Sequence, residues 1–82
     1  MNREWVLFHL REAQQELART IADIEADPRY DVGELSVAVG HAYHHLNTAW
    51  NSRDEPESRV HACTDVDFLR WRQFPTDVYL GP

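Results

Sequence analysis

Residues Asp31 to Arg53 read DVGELSVAVGHAYHHLNTAWNSR, and this stretch decides the fold. Leu35, Ala38, Val39, Ala42, Leu46, Ala49 and Trp50 recur at steps of three and four. That spacing returns each residue to one side of a helix turning about 100° per residue. Asp31 stands where its carboxylate can accept from first-turn amides, and Glu34 three residues on can reach back, a capping-box-like start. The other side is not simply polar. Val37, Gly40, His41, His44 and Thr48 form a strip of small or weakly polar residues, where a helix facing only water would carry Glu, Lys or Arg. The helix therefore needs cover twice: once from a hairpin mate, and once from a second layer, either the C-terminal segment or another copy of the chain.

The mate lies upstream. Helix one is expected over Arg3 to Asp27, with Val6, Leu10, Ala13, Leu17, Ile21 and Ile24 on the side facing helix two and Glu4, Glu12, Gln15, Glu16, Arg19 and Asp23 opposite. Strong helix formers dominate the segment. Trp5 and Phe8 fall off the main stripe, as a patch covering the C-terminal segment or anchoring a partner would. Asp27-Pro28-Arg29-Tyr30 is the break, since proline disfavours helical geometry in the residue before it and removes a donor. So short a connection predicts two antiparallel helices.

Downstream, Asn51 to Arg59 (NSRDEPESR) reads as a charged loop. Thr64 followed by Asp67 marks a second capping-box-like start, and a short helix is expected over 65–73, ended by Phe74-Pro75. Thr76 to Leu80 reads as an extended tail. Phe68, Trp71, Phe74 and Tyr79 make the C-terminal part aromatic-rich, which predicts that it docks, because each buried ring contributes on the order of 1.5–3 kcal/mol. The fold class is all-α: a helical hairpin, a short C-terminal helix and an aromatic tail in one domain spanning 1–82. An isolated hairpin this small buries little, so a homodimer with a four-helix arrangement is expected.

Composition excludes several functions. The hydrophobic fraction of 43% is that of an ordinary globular chain. Eight arginines oppose 14 acidic residues, a net charge of −6, and the arginines are scattered along the chain. That argues against nucleic acid, including at Arg70-Trp71-Arg72, where the expected arrangement is Trp71 inward and the arginines outward. No apolar run approaches the roughly 20 residues that span a bilayer, and the N-terminus lacks the features of a secretory signal. A lone cysteine, Cys63, permits no internal disulfide and fits a reducing compartment. The expected setting is cytoplasmic, without a membrane partner.

The chemistry-bearing residues are the histidines. His41 and His45 are four apart, so two imidazoles can reach one ion as in HExxH, but the general-base glutamate of that motif is missing. His41, His45 and His44 are the candidate ligands for a divalent transition metal, with a further ligand required from His9, Asp23, Glu16 or a partner chain. The other reading is that these imidazoles hydrogen-bond across a packed interface. A third is a pH switch in which clustered histidines at a self-association surface repel one another on protonation. The segment HAYHHLNTAW resembles the histidine-bearing helices of DinB-like four-helix metalloproteins; the likeness covers that one helix, and the chain is too short for the whole bundle. Cys63 precedes a helix start with His61 two residues away, but a catalytic pair needs closeness in space, and a structural cysteine is expected. With three glycines there is no phosphate-binding loop. The function expected is a small interaction or regulatory module without catalysis, with Trp5, Phe8, Trp50 and Trp71 as aromatic anchors; the alternative is a small metal-binding protein or metalloenzyme.

Overall fold

The chain enters its first helix at Asn2, whose side-chain oxygen accepts from the Trp5 amide at 3.2 Å. In the computed structural model, which describes residues 1–82, α1 then runs Arg3–Ala26. It stops one residue short of the expected Asp27, which is already extended ahead of Pro28. Asp31 opens α2, Val32–Asn51, its carboxylate accepting from the Glu34 amide at 2.9 Å. The two helices are antiparallel: the Asn2 amide donates to the Arg53 carbonyl at 2.6 Å, so the start of α1 lies beside the end of α2.

The expected loop between Asn51 and Arg59 is not all loop. Glu57–His61 forms a short helix, α3. Proline supplies its start, with φ −71° at Pro56 and the Arg59 and Val60 amides donating to the Pro56 carbonyl at 2.9 and 3.1 Å. Tertiary contacts then hold it: Val60 is buried, and the Arg59 guanidinium grips the Asp67 carboxylate at 2.5 and 2.6 Å. The last helix, α4, is Asp65–Trp71, ending two residues before the expected Gln73. Its capping box is complete, with Thr64 Oγ1 accepting from the Asp67 amide and Asp67 Oδ2 from the Thr64 amide. Arg59 and then Thr64 hold the Asp67 carboxyl well below the usual carboxylate range.

α4 is fastened to α2 by its C-terminal carbonyls. Helix ends leave such groups without intrahelical partners. Asn47 Nδ2 donates to the Arg72 carbonyl at 2.9 Å, and Asn51 Nδ2, one turn on, donates to the carbonyls of Trp71 and Gln73 at 2.8 and 2.7 Å. Beyond α4, Asp77 accepts from Trp50 Nε1 at 2.8 Å. The expectation of a docked aromatic tail holds for Trp71 and half-holds for Phe68, but Phe74, Tyr79 and Leu80 are exposed. Tyr79 and Leu80 lie past Asp77, the last fastening point, and Phe74 lies between that point and the end of α4.

The apolar core is small: Ala13, Ala42, Ala49, Val60 and Trp71. This corrects the expected packing of the hairpin. Alanines and the histidines His9 and His45 occupy the α1–α2 seam. Leu10, Leu17, Ile21 and Ile24 on α1, with Leu35, Val39 and Leu46 on α2, stand beside that seam, each between 38% and 57% exposed. Small residues let the two backbones approach closely, which leaves the large side chains on the flank. The opposite flank is where α3 and α4 lie; there Thr48 is buried and His44 half-buried, but Val37, Gly40 and His41 of the same strip are exposed, so the expected second layer covers only the strip's C-terminal part. The architecture is thus all-helical, and no helix is long and apolar enough to cross a membrane.

Ser52 closes the hairpin's open end. Its fully buried Oγ accepts from Trp5 Nε1 at 2.7 Å and donates to the Thr48 carbonyl. Ser52→Ala leaves a half-buried indole N–H without a partner, so a loss of about 1–3 kcal/mol is expected in urea unfolding. A change below about 0.3 kcal/mol would show that this bond is not holding the two ends together.

Candidate functional site

α1 and α2 bring three imidazoles together. His9 is one turn before Ala13 on the seam side of α1, and only 6% of it is exposed. Its Nδ1 lies 2.9 Å from His45 Nδ1. His44 lies tilted against His45, ring centres 4.7 Å apart, and its centre lies 6.5 Å from that of His9. Aromatic rings wall the cluster. Trp5 meets His9 edge to face at 4.4 Å, Phe8 does so at 5.1 Å, and Phe68 of α4 sits against His44 at 4.9 Å.

The electrostatics follow from this packing. Burial first, and then the neighbouring His45 and His44, each of which would repel a second cation, together push His9 down to about 4. Burial also lowers His44, helped by His45, Arg72 and His41. One Nδ1 of the His9–His45 pair must carry a proton and the other a lone pair. His9 Nε2, on the far side of its ring, is buried without a hydrogen-bond partner.

The three expected ligands diverge. His45 turns to His9, and His44 turns to Phe68 with its Nδ1 3.4 Å from Thr48 Oγ1. His41 is exposed, its Nδ1 3.9 Å from Glu16 Oε1. All three border an open cleft of about 470 Å³ between α2 and α4, with Phe68 and Arg72 on its other wall. No group of three His, Cys, Asp or Glu side chains is placed to hold one metal ion. His9, which matters most here, is legible in the sequence only as one ligand option; its place four residues before Ala13 is the signal that puts it in the seam.

The remaining candidates are also placed. Cys63 is exposed and its thiol is near only the Thr64 carbonyl, while His61 pairs with Glu57 at 2.8 Å, so the two form no nucleophile–base pair. Arg70 bonds Asp67 at 3.5 Å, Arg72 lies over Phe68 at 5.4 Å, and Trp71 points inward. Trp71 is therefore an internal anchor of α4, not an exposed one. Trp5 bridges it to the hairpin, ring centres 6.4 Å apart, and Phe8 is half-exposed. Trp50 is held by Asp77 and by Arg53 stacked at 4.0 Å, and it lines an apolar groove with Val6, Leu10 and Leu46. No family model, curated protein or solved structure matches the chain.

Proposed function

We propose that this protein is a small interaction module whose hairpin flank takes a second copy of the same chain, closing a four-helix arrangement, and that it has no catalytic activity of its own. The observation that carries the reading is the row Leu10, Leu17, Ile21, Ile24, Leu35, Val39 and Leu46, all large, apolar and substantially exposed. Scattered apolar residues on a surface are ordinary, but a contiguous patch marks an interface. At 100° per residue the two rows lie on the same side of the hairpin, and Leu10 and Leu46 border one groove of about 230 Å³.

Two magnitudes support the reading. The chain exposes 6209 Å², where a compact monomer of its mass exposes roughly 5,100 Å². Its radius of gyration is 14.5 Å, against about 12 Å for a compact domain of this length. The exposed tail contributes to both, but the helical flank contributes apolar area. α1 and α2 are ~36 and ~30 Å long, and two packed helices are ~20 Å wide, so the flank offers on the order of 600 Å² before corrugation. A stable interface needs about 800 Å² per partner, which this flank approaches. A second copy matches it because a two-fold axis sets each row against a row of the same kind and encloses both at once.

Sedimentation equilibrium of the full chain at micromolar concentration and neutral pH tests this. The expected mass is twice 9.6 kDa. A monomer under those conditions overturns the proposal.

A further inference from the structure

Two aromatic faces of this chain are served in the same way. Arg53 lies over the Trp50 ring at 4.0 Å, and its guanidinium is 3.7 Å from the Asp77 carboxylate. Arg59 lies over the Trp71 ring at 5.8 Å and is held by Asp67 at 2.5 and 2.6 Å. An aromatic face, a carboxylate and a guanidinium thus recur as one unit. The combination suits arginine, whose planar, delocalised cation stacks on a ring while its N–H groups pair with a carboxylate.

A third place on the chain has the ring and the carboxylate. Between the start of α1 and α3 lies a pocket of about 160 Å³, lined by Glu4, Trp5, Phe8, Glu57, Val60 and His61. Its aromatic wall is Trp5 and Phe8, their rings within 21° of parallel and their centres 6.2 Å apart. Trp5 has an internal task, its Nε1 held by Ser52, but Phe8 keeps half its surface open. The carboxylates are Glu4 and Glu57, both exposed. Arginine rings the other aromatic faces, yet none of this chain's arginines stands over Trp5 or Phe8. None pairs with Glu4 or Glu57 either. Glu57 meets only His61, through Oε1 at 2.8 Å, which leaves Oε2 to accept.

Size and charge narrow the occupant. The volume is below the roughly 300–1,000 Å³ of sites for whole small molecules, and on the scale of one side-chain head. A net charge of −6 and two local carboxylates repel an anion. No three of the acidic and histidine side chains are placed to hold a metal ion. We propose that this pocket takes the guanidinium of an arginine on a partner polypeptide, stacked on the Trp5–Phe8 wall and paired with Glu4 and Glu57. The site lies on the α3 side of the hairpin, apart from the Leu17, Ile21 and Ile24 row, so it does not rest on the association of two copies.

NMR of the unaltered full chain at neutral pH and fixed concentration, titrated to about 10 mM with blocked glycyl-arginyl-glycine, tests this; a few weak contacts reach that range. The Trp5 indole N–H and the Phe8 ring should shift and saturate, while the indoles of Trp50 and Trp71, already served by Arg53 and Arg59, stay still. The uncharged citrulline peptide should bind about tenfold more weakly or not at all, and the Glu4→Gln, Glu57→Gln double variant should lose about tenfold for the arginine peptide. Equal binding of arginine and citrulline peptides, equal shifts at all three indoles, or no shift at Trp5 overturns the proposal. A lysine peptide that binds as tightly assigns the pocket to any cation and overturns the guanidinium. Trp5 shifts that follow protein concentration with no peptide added place a second copy's arginine there and overturn the separate partner. The peptide comparison uses the unaltered chain, so it decides even if the double variant fails to fold.

Discussion

A Trp71→Ala chain is expected to lose about 3–5 kcal/mol in urea unfolding and to release α4 from the hairpin. Trp71 is 2% exposed and is the largest side chain in the core. Its indole meets Trp5 edge to face, lies under Arg59 at 5.8 Å, and belongs to the helix end whose carbonyls Asn47 and Asn51 bond. Truncation removes the ring and leaves a cavity that the alanine-rich seam cannot fill, because its side chains are already as short as they can be. The effect is local in secondary structure. α3 and α4 supply 5 and 7 helical residues, against 24 and 20 in the hairpin, so circular dichroism should fall by about a fifth. Thr48 and His44 then become accessible to solvent, read by hydrogen exchange across the second half of α2. A loss under 1 kcal/mol with unchanged exchange would mean that α4 is not what covers that face.

What the sequence discloses here depends on how local the cause is. The hairpin, the capping Asp31 and the Thr64–Asp67 box are legible because each is set by residues within a few positions of one another. The need for cover over Thr48 and His44 is legible too, since polarity along one helix reports on what faces it. Two features escape for a shared reason. The periodic stripe gives the apolar side of each helix but not the angle at which the helices meet. A shift of under a quarter turn moves Leu10, Leu17 and Ile21 from the seam to the flank and brings Ala13 and His9 in. The same shift decides which histidines meet. His41, His44 and His45 share a helix and so look like a set, whereas the closest imidazole contact crosses the seam to His9, 36 positions away. α3 is hidden differently: five residues carry too little periodicity to announce a helix, and its stability comes from Val60 and from Arg59 reaching Asp67.

The flank row yields the sharpest substitution, Ile21→Glu. Within one chain this change should be nearly silent, because Ile21 is 57% exposed and glutamate is at least as good a helix former as isoleucine. Between two chains it is not. A two-fold axis places the new carboxylate in the interface twice, and each unpaired buried charge costs several kcal/mol, so the dimer should weaken by about 4 kcal/mol or more, roughly a thousandfold in Kd. Net charge changes too, from a chain already at −6. Gln15→Glu adds the same charge on the exposed opposite side of α1 and separates repulsion at a distance from loss of the contact itself. Sedimentation velocity across micromolar concentrations should show Ile21→Glu as a folded monomer with unchanged circular dichroism and Gln15→Glu as a dimer. If Ile21→Glu remains dimeric, the chain associates through some other surface. If it unfolds while Gln15→Glu does not, the flank is closed within a single chain and the proposed interface is wrong.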